Sequence, residues 1–171
     1  MGKIMISNMK FLKPNNLKKG NNVAIISSSR GTIGEKFARH EVELGIKRMK
    51  EFNLNPIFMP NSLKGIKYLS DHPEKRAEDF KNAFEDKNIH AVFTAIGGVD
   101  TYKIIPYLVN DEIFMNSIRN NVKIFTGYGD ATINHFMLFK CGIVSFYGPN
   151  LLCDFAEFGD GMLEYTKKYF K

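Results

Sequence analysis

The sequence predicts an α/β domain, a mostly parallel sheet with helices on both faces. Three observations carry this. Short apolar runs recur along the 171 residues and read as buried strands. Stretches between them repeat their apolar residues at helical spacing. Three of the runs end in turns that carry glycine, where a strand hands the chain on to a helix. Such alternation implies right-handed crossovers and parallel pairing. Strands that are apolar throughout imply that both faces are covered.

The first strand is Val23 to Ser27, running into Ser28-Ser29-Arg30-Gly31. A helix follows from about Glu35 to Phe52, with Ala38, Val42, Ile46, Met49 and Phe52 on one side and Asn53 as its stop. Pro56 to Met59 is the second strand, and Pro60 to His72 reads as a loop. Pro73 suits the first turn of a helix, where its missing N–H costs nothing, and Ala77, Phe80 and Phe84 form that helix's stripe. Ala91 to Ile96 is the third strand and runs into Gly97-Gly98, with a short helix from Tyr102 to Leu108 beyond. Lys123 to Thr126 is the fourth strand. The tight turn Gly127 to Asp130 leads to a helix marked by Ile133, Phe136 and Met137. Ile143 to Phe146 is the fifth strand, ending at Gly148-Pro149, and residues 151–171 read as mixed and partly helical. The whole is a Rossmann-like or flavodoxin-like arrangement over residues 1–150, in which ligands gather at the carboxyl ends of the strands.

The bulk properties narrow the function. The apolar fraction of 44% is ordinary for a globular chain. No stretch reaches the roughly 18 apolar residues of a membrane span, and the basic start lacks the apolar segment of a leader. The net charge of +6 comes from lysines spread along the chain, without the aromatic interleaving of a nucleic-acid surface. Cys141 and Cys153 lack metal spacing and read as reduced thiols of a cytoplasmic protein. None of His40, His72, His90 and His135 has a partner at metal spacing, so neither a metal nor a cofactor is expected. His135 reads as a partly exposed structural residue.

The strand-end turns carry what chemistry there is. Gly127-Tyr128-Gly129-Asp130 has the strand–turn–helix layout of a nucleophile elbow, which lifts its central residue toward the N–H groups of a helix start. Its central residue is Gly129, which has no side chain to attack with. Read on its own, it is a plain strand-to-helix turn with Asp130 as N-cap. Gly97-Gly98 could bring backbone N–H groups to a ligand, with Asp100 or Thr101 capping the next helix. Ser27 to Gly31 could hold an anion or serve simply as a loop.

In combination these segments resemble a known family. Leu17 to Ser29 resembles the L-x-x-G-D-x-V-A-I-I-S-P-S opening of the LD-carboxypeptidase family of serine peptidases, which includes the microcin-immunity peptidases. Arg76 to Phe84 matches its R-A-x-D-L-x-x-A-F. Ile96 to Thr101 looks like its I-G-G-x-D-[ST] turn. Gly127 to Thr132 matches G-Y-S-D-x-T except at Gly129, and Gly142 to Pro149 matches its closing G-P segment. The resemblance implies a two-domain enzyme whose first domain supplies a serine and an oxyanion hole, and whose second supplies a glutamate and a histidine. It implies peptide substrates with an L-to-D bond, or aminoacyl-nucleotides.

Carried over position by position, Gly129 is the vacant nucleophile position and the N–H groups of Gly98 and Asp130 are the oxyanion donors. Gly97, Asp100, Thr101, Tyr128 and Thr132 line or support the site. The glutamate and histidine have no counterpart in the chain, so it is expected to be inactive alone, a pseudoenzyme domain. Residues 151–171 would begin a linker to a second domain. A strand-end face left without that domain would be exposed and partly apolar, which predicts a homodimer or other self-association.

Overall fold

A computed structural model describes residues 10–170; the first part of the basic start, residues 1–9, lies outside them. Five parallel strands form one sheet: β1 (Asn22–Ile26), β2 (Asn55–Phe58), β3 (Ile89–Thr94), β4 (Ile124–Gly127) and β5 (Phe146–Tyr147), in the order β2-β1-β3-β4-β5. Ala24 lies between Ile57 and Val92, and Val92 is next to Phe125. This is the flavodoxin-like order, whose switch point falls between β1 and β3. Pro56, which has no N–H to donate, sits on the edge strand β2.

The central strands β1 and β3 feed two cores because successive side chains alternate between faces. Ala24, Ile26, Val92 and Phe125 face α3 (Pro73–Glu85), α4 (Ile105–Val109), α5 (Glu112–Ser117) and α6 (Thr132–Lys140), through residues such as Phe80, Leu108, Phe114 and Leu138. Val23, Ile25, Ala91 and Phe93 face α1 (Arg39–Glu51) and the tail, through Met49, Leu151 and Phe155. Phe170 of α7 (Glu164–Phe170) closes this second core by packing edge-on to Phe52, Phe93 and Phe155. The buried Arg48 of α1 ties down the tail, donating to the carbonyls of Phe155 and Gly159 at 3.0 and 2.9 Å. Among the described residues no helix is long and apolar enough to cross a membrane.

Several elements depart from the periodicity. Residues 32–38 form two 3-10 turns, so α1 begins at Arg39 rather than Glu35. Within them Gly34 packs closely on the later loop, where a Cβ would stand 2.3 Å from the Gly65 nitrogen. The stretch read as a loop contains α2 (Ile66–Asp71), whose first N–H groups are met by the Glu35 carboxylate, 2.7 Å from the Ile66 nitrogen. The helix α5 was not expected; Asp111 caps it, accepting from the Phe114 N–H at 2.9 Å. On α6 the buried face is Asn134, Met137 and Leu138, while Phe136 is exposed. The fifth strand is two residues long. Ile143 instead bridges Leu12, which takes the place of a sixth partner there. Asn53 adopts φ +56°, the left-handed C-terminal stop that its residue type favours.

Lys123, just before β4, is buried and caps the end of α3. Its Nζ donates to the Ala83 carbonyl at 2.9 Å and to the Asp86 carbonyl. Burial pulls its pKa down from 10.5 to about 8. Between about pH 8 and 10.5 the unfolded chain therefore holds more protons than the native one, and this lysine's contribution to stability rises with pH. The expected gain of wild type over Lys123→Met across that window is about 1–3 kcal/mol, measured by urea unfolding at its two ends.

Candidate functional site

The turns after β1, β3 and β4 meet at the carboxyl edge of the sheet, at the switch point. Two side-chain clamps join them. The first is Arg76 of α3, which is 1% exposed. Its Nη1 donates to the carbonyls of Ser28 and Ser29 at 3.4 and 3.2 Å and to Asp100 Oδ1 at 2.8 Å, and its Nη2 reaches Asp100 Oδ2 at 3.3 Å. One guanidinium thereby holds the turn after β1 and the turn after β3 in one geometry. Lys103 adds a second cation to Asp100 at 3.3 Å.

The second clamp is Asp130. Its Oδ2 accepts from the Ser29 hydroxyl at 2.5 Å and the Thr101 N–H at 2.8 Å. Burial pushes this carboxyl up, but the bonds from Ser29 and Thr101 outweigh it and leave the pKa below its ordinary value. Gly98 makes the contact fit, because a Cβ there would stand 2.1 Å from the Ser29 hydroxyl oxygen; at Gly97 a Cβ would meet the Asp130 nitrogen and the Tyr128 carbonyl oxygen only at ordinary contact distance, 3.5 Å.

The turn after β4 begins at Gly127, where a Cβ would stand 2.2 Å from Thr94 Oγ1, so only glycine fits. Tyr128 is extended and Gly129 turns the chain at φ +64°. Around Gly129 a Cβ would find nothing within 4 Å. The Gly129 N–H donates to the Tyr147 hydroxyl oxygen at 3.1 Å, and the Thr132 hydroxyl donates to the Gly129 carbonyl at 2.6 Å. Below the turn, His135 Nε2–H donates to the Gly127 carbonyl at 2.9 Å, and its Nδ1 accepts from Ser145 Oγ at 2.8 Å. The carbonyl fixes a proton on Nε2, and burial keeps the ring's pKa below the usual histidine value. Beside the turn lies a groove of about 760 Å³, walled by Tyr128, Phe146, Tyr147, Tyr165 and Tyr169. Burial, together with Cys153 and Asp154, raises the Tyr128 phenol, which stays neutral.

Gly97, Gly98, Tyr128, Gly129 and Asp130 are thus brought together. None of Asp100, Thr101 and Asp130 caps the helix that follows it in sequence: Asp100 pairs with Arg76 and Lys103, Thr101 is fully buried, and Asp130 reaches across to Ser29 and to the Thr101 N–H at the start of the helical turn after β3. His135 is half-buried, as its place in the sequence suggested. Arg76 and Tyr147 went unread as site residues, and Ser29 was read only within a turn that could hold an anion or serve as a loop. The one available signal was an arginine next to Ala77 in the apolar stripe of α3, where a charge must have a buried partner.

A doubly wound parallel α/β domain with its crevice at the switch point is the class that this fold and site define. Residues 23–148 match the LD-carboxypeptidase N-terminal domain, and the chain belongs to that family. It is similar to a MccF-like protein from Streptococcus pneumoniae solved in complex with AMP, at 49% identity and a TM-score of 0.84, over 88% of this chain and 43% of that one. A probable murein peptide carboxypeptidase from Bacillus subtilis is 30% identical over 83% of this chain and 42% of its own length. The microcin C7 self-immunity protein MccF of Escherichia coli is 32% identical over 53% of this chain and 25% of its own. The chain therefore spans less than half the length of these relatives.

Proposed function

We propose that this chain is the N-terminal domain of a serine-peptidase scaffold that binds but does not hydrolyse. The observation that carries the reading is Gly129. It occupies the tip of a strand–turn–helix, at a left-handed φ of +64°, in open space, where a nucleophile elbow carries its attacking side chain. With no side chain there, the attacking role of a triad is unfilled at this turn. Gly98 and Asp130 are the oxyanion-type donors in this reading, with Gly97, Tyr128 and Thr132 around them.

Binding is favoured by the clamps. Arg76 with Asp100, and Asp130 with Ser29 and Thr101, hold the turns in place although there is nothing at the tip for them to serve. The ligand class is a peptide carboxylate or an aminoacyl-nucleotide, the latter in keeping with the AMP held by the S. pneumoniae relative. The site is proposed to work in the cytoplasm without metal or cofactor. Residues from 151 onward lead toward a second domain, and the exposed Val99, Tyr102 and Tyr147 suit association with another copy.

Calorimetric titration with a murein tetrapeptide and with an aminoacyl-adenylate analogue tests the reading, alongside an assay for released D-alanine. The expected result is heat of binding with either ligand and no product. Absence of heat at millimolar ligand ends the binding reading; release of product ends the claim of inactivity.

A further inference from the structure

We propose that the Tyr147 hydroxyl is a ligand-contacting donor at the empty tip, giving a hydrogen bond to an oxygen of a bound carboxylate or carbonyl group. This rests on the reading that the crevice binds such a group, and it names a residue that the sequence motifs did not single out for that role.

The argument starts from register. Tyr147 is paired with Gly127 across β4 and β5, so the parallel edge strand brings it alongside the turn. Its oxygen accepts the Gly129 N–H at 3.1 Å. A phenol has one proton to give as well as lone pairs to accept with, and among the described residues no acceptor for that proton is found. Thr132, the other hydroxyl at the tip, already donates its own to the Gly129 carbonyl at 2.6 Å. Tyr147 is therefore the hydroxyl there with a proton to spare.

Its placement suits binding. The side chain is 67% exposed, so a ligand can reach it, and the space around Gly129 is open. The ring is steadied by Tyr128 and His135, with ring centroids 6.3 and 5.7 Å away. It also forms part of the wall of the aromatic groove, so a ligand oxygen at the tip would have the rest of its molecule next to that groove. The same geometry argues against attack by the phenol. His135, the nearby imidazole, has both nitrogens engaged, by the Gly127 carbonyl and by Ser145, and is not aimed at Tyr147 as a base.

The test titrates ¹⁵N-labelled wild type and Tyr147→Phe with acetate and with a murein tetrapeptide. It follows the amides of Gly98, Gly129 and Asp130 and the tyrosinate absorbance. Phenylalanine keeps the ring packing at an exposed position, and thermal unfolding checks the fold. Before any ligand is added, the Gly129 amide is expected to shift in the variant, having lost its acceptor. The tetrapeptide is expected to bind the variant about 10- to 150-fold more weakly, the range that follows from losing one hydrogen bond to a charged group. It is also expected to suppress the ionisation of one phenol in wild type but not in the variant, because a bound carboxylate favours the neutral hydroxyl. Equal affinity in a folded variant overturns the role of Tyr147 and leaves the crevice as a binding site. No movement of the three amides in wild type overturns both readings together.

Discussion

Arg76→Met is expected to cost the fold about 3–5 kcal/mol, the penalty for removing one partner of a buried ion pair. The guanidinium is almost wholly enclosed and spreads its bonds over two carbonyls and a carboxylate. Methionine fills similar space but leaves the Ser28 and Ser29 carbonyls without that donor and Asp100 facing only the exposed Lys103. Because Asp100 belongs to the turn after β3 and the serines to the turn after β1, the damage falls on the site before it reaches the sheet. Urea unfolding reads the stability. The amides of Gly98 and Asp130 read the site, and both are expected to broaden or shift. The double variant Arg76→Met with Asp100→Leu separates charge from packing. It is expected to recover part of the loss, because it leaves no buried charge behind. A single variant as stable as wild type would show that the clamp contributes little.

The location of the site was legible for a simple reason. Parallel strands covered on both faces must be apolar throughout, and each must end in a turn that redirects the chain toward a helix. Apolar runs that break into glycine therefore marked the carboxyl edge directly, and Gly97, Gly98, Gly127 and Gly129 all lie there. What stayed hidden is what depends on contacts distant in sequence. Ser29 meets Asp130 across 101 positions and Arg76 meets Asp100 across 24, and no local period encodes either. The cap reading of Asp130 in the isolated turn arises for that reason, since its residue type and place before a helix suit a cap while its partner Ser29 lies far away in sequence. Asp79, in the same motif as Arg76, is similar. Its carboxylate accepts from Asn61 Nδ2 at 2.9 Å, and burial raises its pKa to about 6. It fastens the segment after β2 to α3, a role that a helical wheel shows only as a polar residue on the wrong side. The helices α2 and α5 were missed because they are single short turns, started by Glu35 and Asp111 rather than by an apolar stripe.

Gly129→Ser, combined with the remaining half of a family member supplied as a separate or fused polypeptide, is expected to convert a silent chain into a hydrolase. The gain is on the order of six powers of ten in kcat, the typical cost of losing a triad nucleophile. The substitution has room: nothing lies within 4 Å of the added Cβ. It carries strain, because a serine must adopt φ +64°, at a cost of about 1–3 kcal/mol. That strain is what an elbow holds in any active relative, and here the Gly127 contact with Thr94, the Asp130 clamp and the Thr132 bond to the Gly129 carbonyl already hold the turn in place. Gly129→Ser alone is expected to lose stability by that amount and to remain inactive, since His135, the imidazole below the turn, is committed to Gly127 and Ser145. Release of D-alanine from a tetrapeptide reads activity, and a fluorophosphonate probe reads whether the new hydroxyl is activated. Labelling and turnover are expected only with both changes present. Turnover by the second half with unmodified Gly129 would show that the tip is not where the bond is broken. Silence with both changes, in a complex shown to form, would mean that the turn no longer presents its central residue to the crevice.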